Sequence, residues 1–301
     1  MISGFWRRVG ALFIDLMLLG AVGWAIGTAF FDPLARMGDW AKLIGFVIAL
    51  AYFGPGNSRL TGGQTAGKRL LGLRVVDGSG QALSVPRALI RYVVLGVPFF
   101  ANGSSFNADL RFSPLGYLLS LVVLGGIISI LYLYIFNRRT RQSLHDLAVG
   151  SYVIRADPVV EHPAFLTLWP GHRAVVAALI VLALGAPWVA SRVANSTTFA
   201  GILPLYQMVV MQPHVLSAQV MRGWSSTNGI KSHGMQAVLR LDAPMTEDGE
   251  LAKNTAQLMA KSDPNIATED SINVTLVYGF NLGIASGWRK HGYVYHPDDL
   301  K

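Results

Sequence analysis

Residues 7–31 read RRVGALFIDLMLLGAVGWAIGTAFF, and this stretch decides the fold. From about Val9 to Phe31 it is an apolar run long enough to cross a bilayer, which takes about 20 residues. Two arginines, Arg7 and Arg8, precede the run, and Asp15 stands inside it. No small-x-small cleavage site follows a short apolar core. We therefore expect a retained membrane-spanning helix, not a cleaved signal peptide.

The composition predicts further spans. The chain is 52% hydrophobic and 14% charged, with a mean hydropathy of +0.41, whereas soluble domains carry about 25% charged residues. Pro98 and Asn102–Gly103 interrupt the third apolar segment, which runs from about Tyr92 to Ala101. A broken or re-entrant helix is therefore an alternative for this segment. The predicted fold is an α-helical polytopic membrane bundle of about five transmembrane helices. After the first, these run from about Leu43 to Pro55, Tyr92 to Ala101, Leu115 to Phe136 and Ala174 to Val193.

The charges predict an orientation. Residues 1–193 hold 17 Lys+Arg and 8 Asp+Glu, a net of +9, whereas residues 194–301 hold 8 and 9, a net of −1. Alternate loops are basic, and the loops at 32–42 and 102–113 are balanced. Because basic loops stay in the cytoplasm, we expect a multi-pass inner-membrane protein with a cytoplasmic N-terminus and a periplasmic C-terminal domain.

Three regions are predicted: a four-span transmembrane domain over 1–156, a linker with the fifth helix over 157–196, and an extracytoplasmic domain over 197–301. The first contains a short cytoplasmic β-hairpin, with a strand over Leu70–Val76, a turn at Asp77–Gly80 and a return at Gln81–Ser84. Ser84 is expected to cap the following helix.

The last region is predicted to be a soluble α+β domain of order strand-strand-helix-strand-strand, with its helix on an antiparallel sheet. Asn228-Gly229 indicates a hairpin turn, and Thr246 is expected to cap the helix. The five elements are expected at His214–Ser225, Ile230–Leu241, Met245–Lys261, Ser271–Gly279 and Gly283–Tyr295.

Three ionisable residues at the membrane part form the candidate site. Arg8 and Asp15 are seven residues apart and share a helical face, about 10 Å apart along the axis. Asp146 follows the fourth span and is expected to meet Arg8 across helices. Two interpretations stay open: structural pairs that fix the helices, or a carboxylate that carries protons or cations.

The trio resembles the RDD family of membrane proteins, which is named for its Arg-Asp-Asp set. Residues 61–77, TGGQTAGKRLLGLRVVD, are similar to the family's central loop, and residues 141–146, RQSLHD, to its closing motif. The resemblance covers about residues 3–155. It implies that the first motif contributes Gln64, Gly67, Lys68, Arg69 and Arg74, and that the second contributes Arg141 and His145.

The resemblance also implies a transport role, since some family members are linked to sodium/proton exchange. We therefore expect transport of an ion or small ligand through the Arg/Asp cluster. The alternative is a membrane-anchored interaction or assembly protein whose outer domain binds a partner or envelope component.

Other chemistry is not expected. The loop ending in Gly67-Lys68 continues with Arg69 rather than Ser or Thr, so it is not a phosphate-binding loop. No nucleophile elbow or close set of histidines points to an enzyme, a metal or a cofactor. The expected partner is the bilayer, with anionic head groups at the basic cytoplasmic loops such as Lys68, Arg69 and Arg74. A homo-oligomer or membrane complex stays open, and no nucleic acid is expected.

Overall fold

The computed structural model describes residues 2–104, 113–156, 167–194, 196, 202–227, 230–262 and 270–300. The first part is helical, with one small two-stranded sheet. Its elements are α1 (Phe5–Ala29), α2 (Phe31–Arg36), α3 (Ala41–Gly56), α4 (Ala66–Leu70), β1 (Leu73–Asp77), α5 (Val85–Ala101), α6 (Pro114–Phe136), α7 (Leu144–Val149), β2 (Ser151–Arg155) and α8 (Pro170–Ala194).

Three of these helices, α1, α6 and α8, are long and apolar enough to cross a membrane. They expose large apolar side chains, such as Phe13 at 61% and Leu182 at 69%. Water would disfavour such a surface, but hydrocarbon does not. The helices α3 and α5 have 16 and 17 residues, so the count of five spans stays a prediction.

The third apolar segment is one continuous helix, α5, with Pro98 inside it. The open alternative of a broken helix is therefore wrong. Ser84 stands at the N-cap position, as predicted, although its side chain makes no capping hydrogen bond. α6 contains a π-helical turn at Leu121–Gly125. Asp109 and Arg111, the balanced charges of the loop between α5 and α6, lie outside the described residues.

The predicted cytoplasmic hairpin is wrong in its pairing. β1 pairs antiparallel with β2, so that Val75 lies opposite Val153. The turn at Asp77–Gly80 forms, because the amide of Asp77 bonds to the carbonyl of Gln81. The return segment then leaves the sheet, and the Leu83 carbonyl accepts a bond from the Arg59 amide. Leu73, Val75 and Val153 are thereby buried in a small core beneath α1.

The C-terminal part has the predicted strand-strand-helix-strand-strand order, with one helix before it. Its elements are α9 (Ile202–Val210), β3 (Val215–Thr227), β4 (Ile230–Leu241), α10 (Gly249–Ser262), β5 (Ser271–Asn281) and β6 (Ser286–Tyr295). The sheet order is β3-β4-β5-β6. β4 and β5 are parallel, because α10 crosses between them, so the prediction of an antiparallel sheet is wrong. The predicted Asn228-Gly229 turn lies outside the described residues.

One sheet face packs on α9 and α10, with Met235, Leu239 and Leu276 in its core. Asp248, and not Thr246, caps α10, since its Oδ1 accepts the amides of Glu250 and Leu251. The aspartate sits directly before the first turn, where its short carboxylate reaches the free amides.

The β5–β6 hairpin and Arg240 of β4 dock on the helical part at the end of α1 that is remote from Arg8. Arg240 Nη1 lies 2.9 Å from Asp39 Oδ1, and the Tyr278 hydroxyl donates to Asp32 Oδ1 at 2.7 Å. Phe280 and Leu282 form a buried cluster with Leu34 and other residues of this end. The sheet domain is therefore seated on the helices.

Candidate functional site

α1 brings both predicted charges to one buried stripe. Arg8, Asp15 and the small residues Ala11, Gly23 and Gly27 lie on its buried face, at the three- and four-residue spacing that lines one side of a helix. The side chain of Asp15 is fully buried and that of Arg8 is 6% exposed. Charges buried to this degree need partners, and each finds a different one.

Arg8 pairs with Asp146, as predicted. Its Nη2 lies 2.8 Å from Asp146 Oδ2, and its Nη1 donates to the carbonyl of Arg141. Arg91, on α5, donates from Nη2 and Nε to Asp146 Oδ1 at 2.6 and 3.0 Å. The Ser151 hydroxyl donates to the same oxygen at 3.0 Å. One carboxylate thus joins α1, α5, α7 and β2.

The local sequence holds Asp146 at the start of α7. Ser143 and Asp146 form a capping box, in which the Ser143 amide donates to Asp146 Oδ2 at 3.2 Å. Burial alone would raise the pKa of Asp146, but Arg91, His145 and Arg8 outweigh it and hold this pKa well below its usual value. Asp146 is therefore a fixed negative charge.

His145 lies beside this carboxylate but forms neither a hydrogen bond nor a charged pair with it. Its Nε2 is 3.6 Å from Asp146 Oδ2, beyond ordinary hydrogen-bond length. Burial lowers the pKa of His145 to about 3, so the imidazole is neutral at physiological pH. Its Nδ1 has no hydrogen-bond partner among the described residues.

Asp15 is held by the loop of residues 61–77 and by Tyr52 of α3, not by Arg8. Thr65 Oγ1 donates to Oδ2 at 2.6 Å, and the Gly67 amide and the Tyr52 hydroxyl each donate to Oδ1 at 2.7 Å. All three neighbours are donors, which suits a carboxylate that accepts only. The loop after α3 therefore folds back against α1.

Two motif residues allow this approach. Gly67 must lack a side chain, because a Cβ there would collide with the Ala11 carbonyl and come within 2.9 Å of Asp15 Oδ1. Thr65 caps α4 by accepting the Lys68 amide at 3.4 Å. Gln64 Nε2 donates to the carbonyl of Leu73 at 2.8 Å, which ties the motif to β1.

Lys68 turns inward, towards Asp15. Its Nζ lies 4.0 Å from Asp15 Oδ2, and its side chain is 12% exposed. Burial, together with the positive charges of Arg91 and Arg8, lowers the pKa of Lys68 to about 7, although Asp15 opposes this effect. Among the predicted lipid-contacting cations, Arg69 is exposed and Arg74 half-buried, whereas Lys68 belongs to the internal network.

Arg8, Asp15 and Asp146 are therefore divided between two neighbouring sites along α1. Arg8 pairs with Asp146 at one site, and Asp15 binds the loop of residues 61–77 at the other. The sequence analysis did not identify Arg91, a basic residue between the second and third apolar segments, or Tyr52, which no sequence pattern marks. Arg141 takes part through its carbonyl. Among the described residues, no three His, Asp or Glu side chains are grouped to hold a metal ion.

The long apolar helices and the buried charge network define a helical membrane protein. Residues 2–150 match the sequence model of the RDD family, and this part of the chain belongs to that family. A relative described as uncharacterized protein YckC of Bacillus subtilis (strain 168) is 26% identical over 160 residues, which cover 52% of this chain and 86% of the relative. No solved structure matches the chain.

Proposed function

We propose that this RDD-family protein transports an ion or small ligand across the membrane, with Asp15 and Lys68 as its proton-responsive centre. One observation carries the proposal: the two groups are enclosed together and face each other at 4.0 Å. This is outside hydrogen-bond distance, so neither charge is locked by the other.

The contrast with Asp146 supports the choice of this pair. Both oxygens of Asp146 accept from arginine at 2.6–3.0 Å, and its pKa lies far below physiological pH. Asp146 therefore serves as the fixed anchor of the network. Lys68, with a pKa of about 7, gains and loses its proton in the cellular range, and each change alters the charge beside Asp15.

The proposed orientation places Arg8 and Asp146 at the cytoplasmic side of the inner membrane. α1 has 25 residues and is about 37 Å long at 1.5 Å per residue, so its two ends lie on opposite sides of a bilayer. Arg138, Arg139 and Arg141 cluster at the Arg8 end, whereas the sheet domain contacts Asp32 and Asp39 at the other. By the positive-inside rule, this distribution of charge supports a periplasmic sheet domain.

Flux through proteoliposomes tests the transport role. The full chain is reconstituted with a pH-sensitive dye inside, and a Na⁺ or K⁺ gradient is imposed. We expect proton movement with wild type and an at least tenfold loss in Asp15→Asn and Lys68→Met. Arg69→Met is the matched control, since it removes an exposed neighbouring cation and is expected to keep the flux. No flux with wild type, or equal flux in all variants, would reject the role of Asp15 and Lys68.

A second candidate function is a non-enzymatic interaction module. On the sheet face opposite α9 and α10, Met221, Gln236, Asn273 and Val294 form one row across four strands. Met221 is 47% and Val294 68% exposed, and exposed apolar side chains favour protein contacts. Crosslinking in native membranes tests this with Met221→Glu/Val294→Glu, which leaves unchanged the residues that dock on the helices, such as Tyr278 and Phe280. An unchanged set of crosslinked partners would reject it.

A further inference from the structure

A cleft of about 730 Å³ opens where the start of α1 meets the end of α6. It lies at the same end of the bundle as Arg8 and Asp146 and adjoins their buried network through Arg141, whose carbonyl accepts from Arg8. Its lining residues are Ile2, Gly4, Phe5, Trp6, Arg7, Ile135, Arg138, Arg141 and Arg155.

The lining is cationic without a counter-charge. Four of its residues are arginines and none is an acid. None of these four guanidinium groups forms an ion pair with a carboxylate of the described residues, whereas the adjacent Arg8 and the nearby Arg91 both do. Four arginines around one cleft repel each other unless an anion lies between them. Guanidinium groups bind phosphate in particular, through paired hydrogen bonds.

The start of α1 adds a second attraction for an anion. Its N-cap residue, Gly4, has no side chain to cap the first turn, and no acid stands in that turn. The free amides and the positive end of the helix dipole therefore face the cleft without a partner from a capping side chain.

The protein holds Arg141 at this place by an unusual backbone. Its φ is +56°, a left-handed conformation that residues other than glycine rarely adopt. The Arg141 amide bonds to the Asn137 carbonyl at 3.0 Å, and its own carbonyl accepts from Arg8 Nη1. A glycine would adopt this conformation with less strain, yet the position carries a cation that lines the cleft.

The apolar surroundings indicate a lipid as the source of the phosphate. Trp6 is 80% exposed, and Ile135 and Phe136 at the end of α6 are 50% and 57% exposed. Tryptophan at this level is typical of the membrane interface. A soluble phosphate leaves these side chains uncovered, whereas a phospholipid places its phosphate among the arginines and its acyl chains along α6.

We propose that this cleft binds the phosphate head group of an anionic phospholipid at the cytoplasmic surface. Arg7, Arg138, Arg141 and Arg155 neutralise the phosphate, and Trp6 and Ile135 contact the glycerol and the first acyl carbons. The site is separate from the Asp15–Lys68 pair, so it stands whether or not the protein transports an ion.

Binding is tested with the full-length protein in detergent, by native mass spectrometry and thermal unfolding. The probes are dioleoyl phosphatidylglycerol, dioleoyl phosphatidylcholine and inorganic phosphate. We expect phosphatidylglycerol alone to remain bound and to raise Tm. Arg7→Gln/Arg138→Gln should weaken its binding about 30-fold, since each basic contact at an anionic surface is worth about a factor of five.

The matched control is Arg139→Gln/Lys253→Gln, which removes two exposed cations that do not line the cleft. The Tm of Arg7→Gln/Arg138→Gln without lipid shows whether this variant folds. If it does not fold, Arg155→Gln replaces it as the test variant. Equal loss in test and control variants, or equal retention of both lipids, overturns the proposal. Displacement of phosphatidylglycerol by millimolar inorganic phosphate assigns the cleft to soluble phosphate and overturns the lipid assignment.

Discussion

Phe280 of β5 packs against the bare backbone of Gly27 in α1, at a point where a Cβ on Gly27 would overlap the phenyl ring. A second contact of this kind lies two residues after Phe280, where a Cβ on Gly45 of α3 would overlap the carbonyl of Leu282. Glycines of two different helices thus admit the β5–β6 hairpin. They are contact sites for the sheet domain, not sites of helix weakness.

Gly45→Ala is expected to lower Tm. The new methyl group meets backbone, which cannot move aside as a side chain can, and overpacking of this kind costs about 1–3 kcal/mol. Gly20→Ala is the matched control, because its Cβ would lie at an ordinary 3.6 Å from the Ile284 carbonyl. Alanine is favoured over glycine in helices by up to about 1 kcal/mol, so this control should hold or raise Tm. Equal Tm values for both variants would contradict the close docking.

The contact between Arg240 and Asp39 predicts measurable coupling across the docked surfaces. Nη1 of Arg240 lies 2.9 Å from Asp39 Oδ1, and the two side chains are 8% and 24% exposed. A double-mutant cycle with Asp39→Asn and Arg240→Gln should give about 1–2 kcal/mol of coupling in thermal or denaturant unfolding, within the range for contacting residues. Additive effects of the two substitutions would show that the contact carries no stability.

Asp146→Asn is expected to be among the most damaging single changes. It leaves Arg8 and Arg91 buried with no negative charge between them, and breaking a buried pair costs about 3–5 kcal/mol. Asp77→Asn is the control. That carboxylate pairs with Arg87 at 3.4 Å, where the side chains are 21% and 42% exposed, and such pairs are worth at most about 1 kcal/mol. Comparable losses of Tm would disprove the anchoring role of Asp146.

The sequence predicted local features better than long-range ones. The strands of the C-terminal domain followed from their alternation. One long-range pair, Arg8 with Asp146, followed from the common membrane depth of the two residues. The pairing of β1 with β2 joins Val75 to Val153, and no local pattern encodes such a distant partner. The partners of Asp15 depend on how the loop after α3 folds back, which periodicity does not describe.

The burial of Lys68 determines how the stability of the folded protein changes with pH. Its pKa falls from 10.5 to about 7 in the folded protein, chiefly because burial disfavours the ammonium. Below pH 7 both the folded and the unfolded chain hold the proton, so its contribution is constant. Between pH 7 and 10.5 the unfolded chain holds more protons, and stability therefore rises with pH over this range.

Lys68→Met removes this titration, so the difference in Tm between wild type and Lys68→Met should change from pH 6 to pH 9. Wild type should gain relative to the variant as the pH passes 7, because only wild type loses a buried positive charge. Thermal unfolding in detergent at half-unit pH steps measures this. Arg69→Met, which alters an exposed cation, should follow wild type in parallel. A pH-independent difference between wild type and Lys68→Met would show that Lys68 does not titrate near pH 7 and would remove it from the proton-responsive pair.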